Sequence, residues 1–170
     1  MKFEVHGPFS VRRKRRLVSR ENEDKKKFWE EVEDDEEGLS EACGCYVFAV
    51  HGRVWYVGLA AAQSFKHEMF TAHKINLYND ALQDVAGKPS LLFVAKRTPR
   101  NRFAKKSARG HRDIEMLENL LIGSALSRNP KLKNLKGTKL LREMRVPGLL
   151  NNAPGKPSPS VRAFKKALGL

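Results

Sequence analysis

Apolar residues alternate with polar or small ones at Phe3, Val5, Phe9 and Val11, the two-residue period of a half-buried strand, with a break at Gly7-Pro8. The period then changes. Phe28, Trp29 and Val32 form an apolar stripe that predicts a helix from Ser19 to Glu33. The acidic run Asp34 to Glu37 ends at Gly38 and reads as a solvated linker. Beyond it, Cys43 to Val50 and Arg53 to Leu59 are strand-like runs, and His51-Gly52 between them signals a hairpin. Gln63, Phe65, Met69, Phe70 and His73 predict a helix over 62–74, followed by a short one from Leu77 to Val85. Gly87-Lys88-Pro89 breaks the chain before Leu91 to Ala95, a run that reads as a further buried strand. The clearest helix spans Asp113 to Leu126, where Asp113 sets a negative charge at the positive end of the macrodipole. After a turn at Asn129-Pro130, a last short helix covers Val161 to Leu168, entered through Ser158-Pro159-Ser160 and ended by Gly169.

Composition adds scale and a partner. At 170 residues with 41% hydrophobic residues, the chain has room for one packed domain and short appended segments. No apolar run approaches the ~20 residues of a membrane span, and the first residues lack the apolar block of a signal peptide. The expected setting is cytoplasmic, with no membrane partner. Cys43 and Cys45, two apart, point to one face of a strand and read as reduced, partly buried thiols. The net charge of +14 is unevenly spread: residues 1–41 carry a net −2, residues 42–170 a net +16. Such a field attracts phosphate backbones without reading sequence, so a nucleic acid, DNA or RNA, is the expected partner. The stretch Lys96, Arg97, Arg100, Arg102, Lys105, Lys106, Arg109 and Arg112 contains no acid and is the candidate phosphate-contact loop.

The order of motifs narrows the reading. Gly44-Cys45-Tyr46 on one strand faces Tyr56-Val57-Gly58 on the next, and a later helix carries Glu118 ahead of an Asn-Pro turn. This order resembles the GIY-YIG endonucleases across about Ala42 to Asn134. The resemblance implies an α+β fold with a small three-stranded antiparallel sheet flanked by helices. It divides the chain into an N-terminal extension (1–41), a nuclease-like domain (42–136) and a basic C-terminal extension with a short helix (137–170). It also implies metal-dependent hydrolysis of DNA phosphodiester bonds with one divalent ion, Mg²⁺ or Mn²⁺. Tyr46 and Tyr56 match the family's tyrosines, Gly44 and Gly58 its motif glycines, and Glu118 its metal-binding glutamate. The family's phosphate-directed arginine falls on Lys66 when counted without gaps, with His67 and His73 as secondary candidates. Lysine is a flexible point charge where arginine is a planar fork, so the exchange is not neutral. Phe65, Glu68, Phe70, His73 and Lys74 also look like a little-characterised bacterial branch of the family.

Read on their own, these residues make two demands. Ile114, Leu117, Leu121, Ile122 and Ala125 form the apolar stripe of the late helix, and Glu118 falls among them. A carboxylate there needs a cation, a proton or a basic partner: either a salt bridge to one of the arginines or Mg²⁺, which keeps its waters and shares phosphate oxygens. The hairpin sets the other demand. A two-residue turn at His51-Gly52 pairs Tyr46 with Val57 and puts the tyrosines on opposite faces. A three-residue loop, or an equivalent bulge, puts them on one face, as a shared catalytic surface requires. We expect the shared face. Tyr46 then serves as a proton acceptor only if a cation or Lys66 lowers its pKa from about 10. The rival functions are a non-catalytic nucleic-acid-binding module that keeps the fold, and a small RNA-binding protein.

Overall fold

The computed structural model describes residues 1–107, 110–135, 138–144, 147 and 157–169. Its elements run β1 (Lys2–Ser10), β2 (Arg13–Lys14), β3 (Leu17–Val18), α1 (Asn22–Asp35), β4 (Gly44–Val50), β5 (Arg53–Ala60), α2 (Phe65–Glu68), α3 (Ala72–Asp84), β6 (Pro89–Arg97), α4 (Arg112–Arg128), α5 (Lys139–Glu143) and α6 (Pro159–Leu168). Two compact units result, Met1–Lys133 and Asn134–Leu170. The first holds the sheet and both motifs. The second holds α5 and α6, the latter capped by Ser158 and closed by a left-handed Gly169.

The fold is α+β, but the sheet has four strands rather than the expected three, in the order β1-β6-β4-β5, all neighbours antiparallel. The additional strand is β1, which pairs along β6 from Lys2 opposite Arg97 to Ser10 opposite Ser90. Alternation in the sequence identifies a strand but not its partner. Here β6 is apolar on both faces, and β1 covers an edge that would otherwise be open. The register slips between His6 and Phe9, at Gly7-Pro8, where proline has no N–H to donate.

Each face of the sheet has its own layer. Tyr46, Phe48 and Val50 of β4, with Leu91, Phe93 and Ala95 of β6, join one core with Phe28, Trp29 and Val32 of α1 and Ile75, Tyr78 and Leu82 of α3. Cys43 and Cys45 turn to the other side, where Ile114, Leu117 and Leu121 of α4 cover them. The stripe expected on α1 is the buried one. The single helix expected over 62–74 is instead split, because Thr71 accepts a hydrogen bond from Lys74 N and starts a new helix. The acidic run Asp34 to Glu37 forms the end of α1 and the turn after it rather than a linker, although Asp34, Asp35 and Glu37 stay exposed. Glu33 accepts from the backbone N–H groups of Gly38 and Ser40, and Asp35 and Glu36 are drawn into contacts with His6 and Arg97.

The hairpin resolves the register in a way the loop count did not. His51 and Gly52 both have positive φ, 50° and 71°, and form a two-residue turn with Val50 opposite Arg53. The ladder then slips one residue between Phe48 and Ala49, leaving Trp55 as the extra residue of a bulge. Beyond it Phe48 faces Tyr56, and Tyr46 faces Gly58 rather than Tyr56. The bulge thus returns Tyr56 to the face of Tyr46, as the equivalent-bulge alternative required. Backbone bonds from outside the sheet hold it: Asn129 Nδ2 donates to Val54 O and Lys133 N to Trp55 O, both at 2.8 Å.

Candidate active site

Two glycines let the motif close. A Cβ on Gly58 would lie 2.4 Å from Tyr46 Cζ, so the hydroxyl end of the Tyr46 ring occupies this position. A Cβ on Gly44 would lie 2.2 Å from Val94 O and 2.9 Å from Phe65 Cζ, where β6 and α2 press against the strand. With that space open, the Tyr46 and Tyr56 rings pack 6.2 Å apart, and Tyr78 of α3 packs 6.2 Å from Tyr56.

The polar groups on this face come from α2 and α3. Lys74 Nζ donates to Tyr56 Oη at 2.8 Å and pairs with Glu68 Oε1 at 3.0 Å. Gln63 Nε2 donates to the second Glu68 oxygen at 2.6 Å. Burial pulls the Lys74 pKa down, but the bond to Tyr56 and the pairing with Glu68 outweigh it, and the ammonium is held above its ordinary range. Tyr46 is fully buried, and its hydroxyl and that of Tyr78 lie against each other without a well-formed hydrogen bond to any other group. Burial first, then the neighbouring Tyr78, Tyr56 and Glu68, push its phenol well above the usual range. In this arrangement Tyr46 is a poor proton acceptor. Tyr56 is the tyrosine whose oxygen meets a cation.

Lys66 stands elsewhere. It is exposed on α2, and the charge it acts on is Glu33. His67 is exposed with Nδ1 2.8 Å from Ser64 Oγ, and His73 is exposed. The cation that meets the tyrosines is Lys74, inside the run of Phe65, Glu68, Phe70, His73 and Lys74. The gapless count from Gly58 passed over it because a second helix begins at Ala72.

Glu118 is half-buried on α4, against the opposite side of the sheet. Its charge acts on Cys45, whose thiol burial, Glu118 and Asp113 push up to about 12, and whose Sγ lies 3.3 Å from Ile114 O. The groups that act on Tyr46 are Tyr78, Tyr56 and Glu68. A cation held by Glu118 therefore does not sit among the tyrosines. Glu68 offers no substitute, because both its oxygens are engaged and an ammonium lies 3.0 Å away. The tyrosine face does not fit a divalent ion.

The basic stretch divides. Arg97 is 7% exposed, donates to Glu4 and Glu36, and stacks 3.8 Å above the Phe103 ring, so the fold consumes its charge. Lys96 pairs with Asp113 at 2.8 Å and meets His111 Nδ1 at 3.1 Å. Arg100, Arg102, Lys105, Lys106 and Arg112 are exposed, and Arg109 lies outside the described residues. On the α4 side, a groove of about 440 Å³ is lined by Val47, Val57 and Leu121 together with Arg53 and Arg128.

No family model, curated protein or solved structure matches the chain. No helix among the described residues is long and apolar enough to cross a membrane.

Proposed function

We propose that the chain acts on DNA as a phosphodiester hydrolase, with Tyr56, Lys74 and Glu68 as its reacting face. The observation that carries this reading is the Glu68–Lys74–Tyr56 chain, with contacts of 3.0 and 2.8 Å. Lys74 donates to the Tyr56 oxygen, which leaves the phenol hydrogen to orient an attacking water or the phosphate. Lys74 then neutralises charge that develops on the phosphoryl oxygens. Tyr46 serves as the wall against which Tyr56 is held. The exposed Arg100, Arg102, Lys105, Lys106 and Arg112 supply backbone attraction. Mg²⁺ or Mn²⁺ enters this reading only at Glu118, away from the tyrosines, and no step is assigned to it.

The burial of Tyr46 and the exposure of Lys66 favour a second reading, a binding module that keeps the fold without turnover. Plasmid and branched-DNA cleavage by wild type, Lys74→Met and Glu118→Ala, with and without Mg²⁺ or Mn²⁺, separates them. Loss in Lys74→Met with retention in Glu118→Ala supports the tyrosine face. Loss only in Glu118→Ala returns the chemistry to a metal on α4. Salt-sensitive binding with no cleavage by wild type establishes the binding module.

A further inference from the structure

The densest charge in the chain lies outside the stretch from Lys96 to Arg112. Residues 12–16 read Arg-Arg-Lys-Arg-Arg, five consecutive basic residues within an N-terminal stretch whose net charge is negative. The fold turns them into a hairpin. β2 and β3 pair Arg13 with Val18 and Lys14 with Leu17, so Arg15 and Arg16 form a two-residue turn at the tip. Arg15 holds φ at 59°, a left-handed conformation that favours glycine or asparagine, yet an arginine stands there. The root of the hairpin is fixed. Val11 and Val18 are buried, Val11 N donates to Pro89 O at 3.0 Å, and Ser19 N donates to Arg12 O at 2.9 Å. From α3, Asn79 Oδ1 accepts from Val18 N at 2.8 Å, and Asn76 Oδ1 accepts from Arg20 Nη2 at 2.9 Å. A firmly seated hairpin thus presents five basic residues, all of them exposed.

We propose that the β2–β3 hairpin is a binding finger for duplex DNA, gripping phosphates along a groove without reading the sequence. Among the described residues only Lys14 of the five has an ionic partner, Glu21, and no acid pairs with Arg12, Arg13, Arg15 or Arg16. Like charge presses in from α1 as well, where Arg12 acts against the Lys27 ammonium. Guanidinium groups crowded in this way repel one another, and a polyanion laid across them relieves the repulsion while releasing its own counterions. Four of the five are arginine, whose planar fork binds two phosphate oxygens at once. A two-stranded ribbon also fits the major groove of B-DNA, about 12 Å wide, which has a row of phosphates on either side. A single strand offers one row and no groove. The anchoring helix connects this finger to the tyrosine face, because Lys74 lies two residues before Asn76 on α3, about 3 Å along its axis. The service of the finger to catalysis rests on the hydrolase reading above; its grip on a duplex does not.

Fluorescence anisotropy of a labelled duplex of about 20 base pairs, titrated with the full chain over a series of salt concentrations, tests the finger. The series is repeated in the Lys74→Met background, so that binding is read apart from cleavage. Wild type is expected to hold the duplex at least about 10-fold more tightly than a single strand of the same length. Arg15→Gly with Arg16→Gln is expected to lower the slope of log K against log salt by about 2, and to weaken binding roughly 60-fold near 0.1 M salt. Arg15→Lys with Arg16→Lys keeps the charge, and is expected to keep the slope while losing no more than about 10-fold. Lys2→Gln with Lys26→Gln removes the same charge where Glu4 and Glu30 already pair with it, and is expected to stay within about 3-fold of wild type. Urea titration checks folding, and Arg15→Gly is expected to match or exceed wild type because glycine takes a positive φ freely. Equal losses in the hairpin pair and the control pair would mean general charge attraction and overturn the proposal. So would a hairpin pair that binds like wild type, or a wild type with no preference for the duplex. Hairpin-dependent binding with no cleavage would leave the finger standing and remove the hydrolase reading. Cleavage lost in Lys74→Met, with full affinity in the hairpin pair, would do the reverse.

Discussion

Gly58→Ala tests the geometry on which the tyrosine face depends. The added methyl would lie 2.4 Å from Tyr46 Cζ and 2.5 Å from its oxygen, far inside van der Waals contact. Tyr46 is fully buried between Gly58, Tyr56 and Tyr78, so the ring cannot swing into solvent. Overpacking of this kind costs about 1–3 kcal/mol. Stiffening of the unfolded chain returns about 0.4–1 kcal/mol. The net loss expected is about 1–2 kcal/mol, or roughly 3–10 °C in Tm for a unit of this size. Trp29 and Trp55 are both buried in the unit Met1–Lys133, so urea titration followed by tryptophan fluorescence reads it directly. Gly123→Ala is the control: nothing lies within 4 Å of its Cβ, and alanine in a helix interior is expected to add about 1 kcal/mol. A Gly58→Ala protein as stable as wild type, with unchanged dependence on urea, would refute the placement of Tyr46 over Gly58.

The remaining predictions use the same unit. Tyr46→Phe removes a buried hydroxyl whose one polar neighbour is the Tyr78 hydroxyl, so stability is expected to change by no more than about 1 kcal/mol in the same titration. Asn129→Ala removes the side-chain bond to Val54 O beside the bulge and is expected to cost about 1–3 kcal/mol, with a changed Trp55 emission. Lys74 has its pKa raised on folding, so its contribution is complete below the unfolded value near ~10.4 and is lost as pH rises through the folded one. Lys74→Met is therefore expected to flatten the alkaline limb of stability against pH. Burial raises the Asp113 carboxyl, but Lys96 more than offsets this and holds it below its ordinary range. That stability is present above the unfolded value near ~3.9 and lost as pH falls through the folded one, and Lys96→Met should shrink the acid limb in melts between these conditions. Cys43 and Cys45 are fully buried with raised pKa values, so neither is expected to react with a thiol reagent until the unit unfolds, as stopped-flow absorbance would show.

What the sequence determined by itself is local. Alternation located β1, strand-like runs located β4, β5 and β6, the helical period located α1 and α4, and the glycine of His51-Gly52 marked the turn, because each of these signals is carried by residues a few positions apart. The partner of β1 was not legible, since an alternating strand pairs with any complementary edge, and only packing put it on β6 and made the sheet four-stranded. The shared face of Tyr46 and Tyr56 was a requirement of the motif, but the bulge at Trp55 that provides it is stabilised by Asn129 and Lys133, more than seventy positions away. Charge was the least legible property. Arg97 and Lys96 belong to the basic run in sequence, yet the tertiary fold pairs them with Glu4, Glu36 and Asp113. It likewise brings Lys74, not Lys66, to the tyrosines and sets Glu118 on the sheet's other side, because which face a residue reaches depends on where a helix starts and what it packs against.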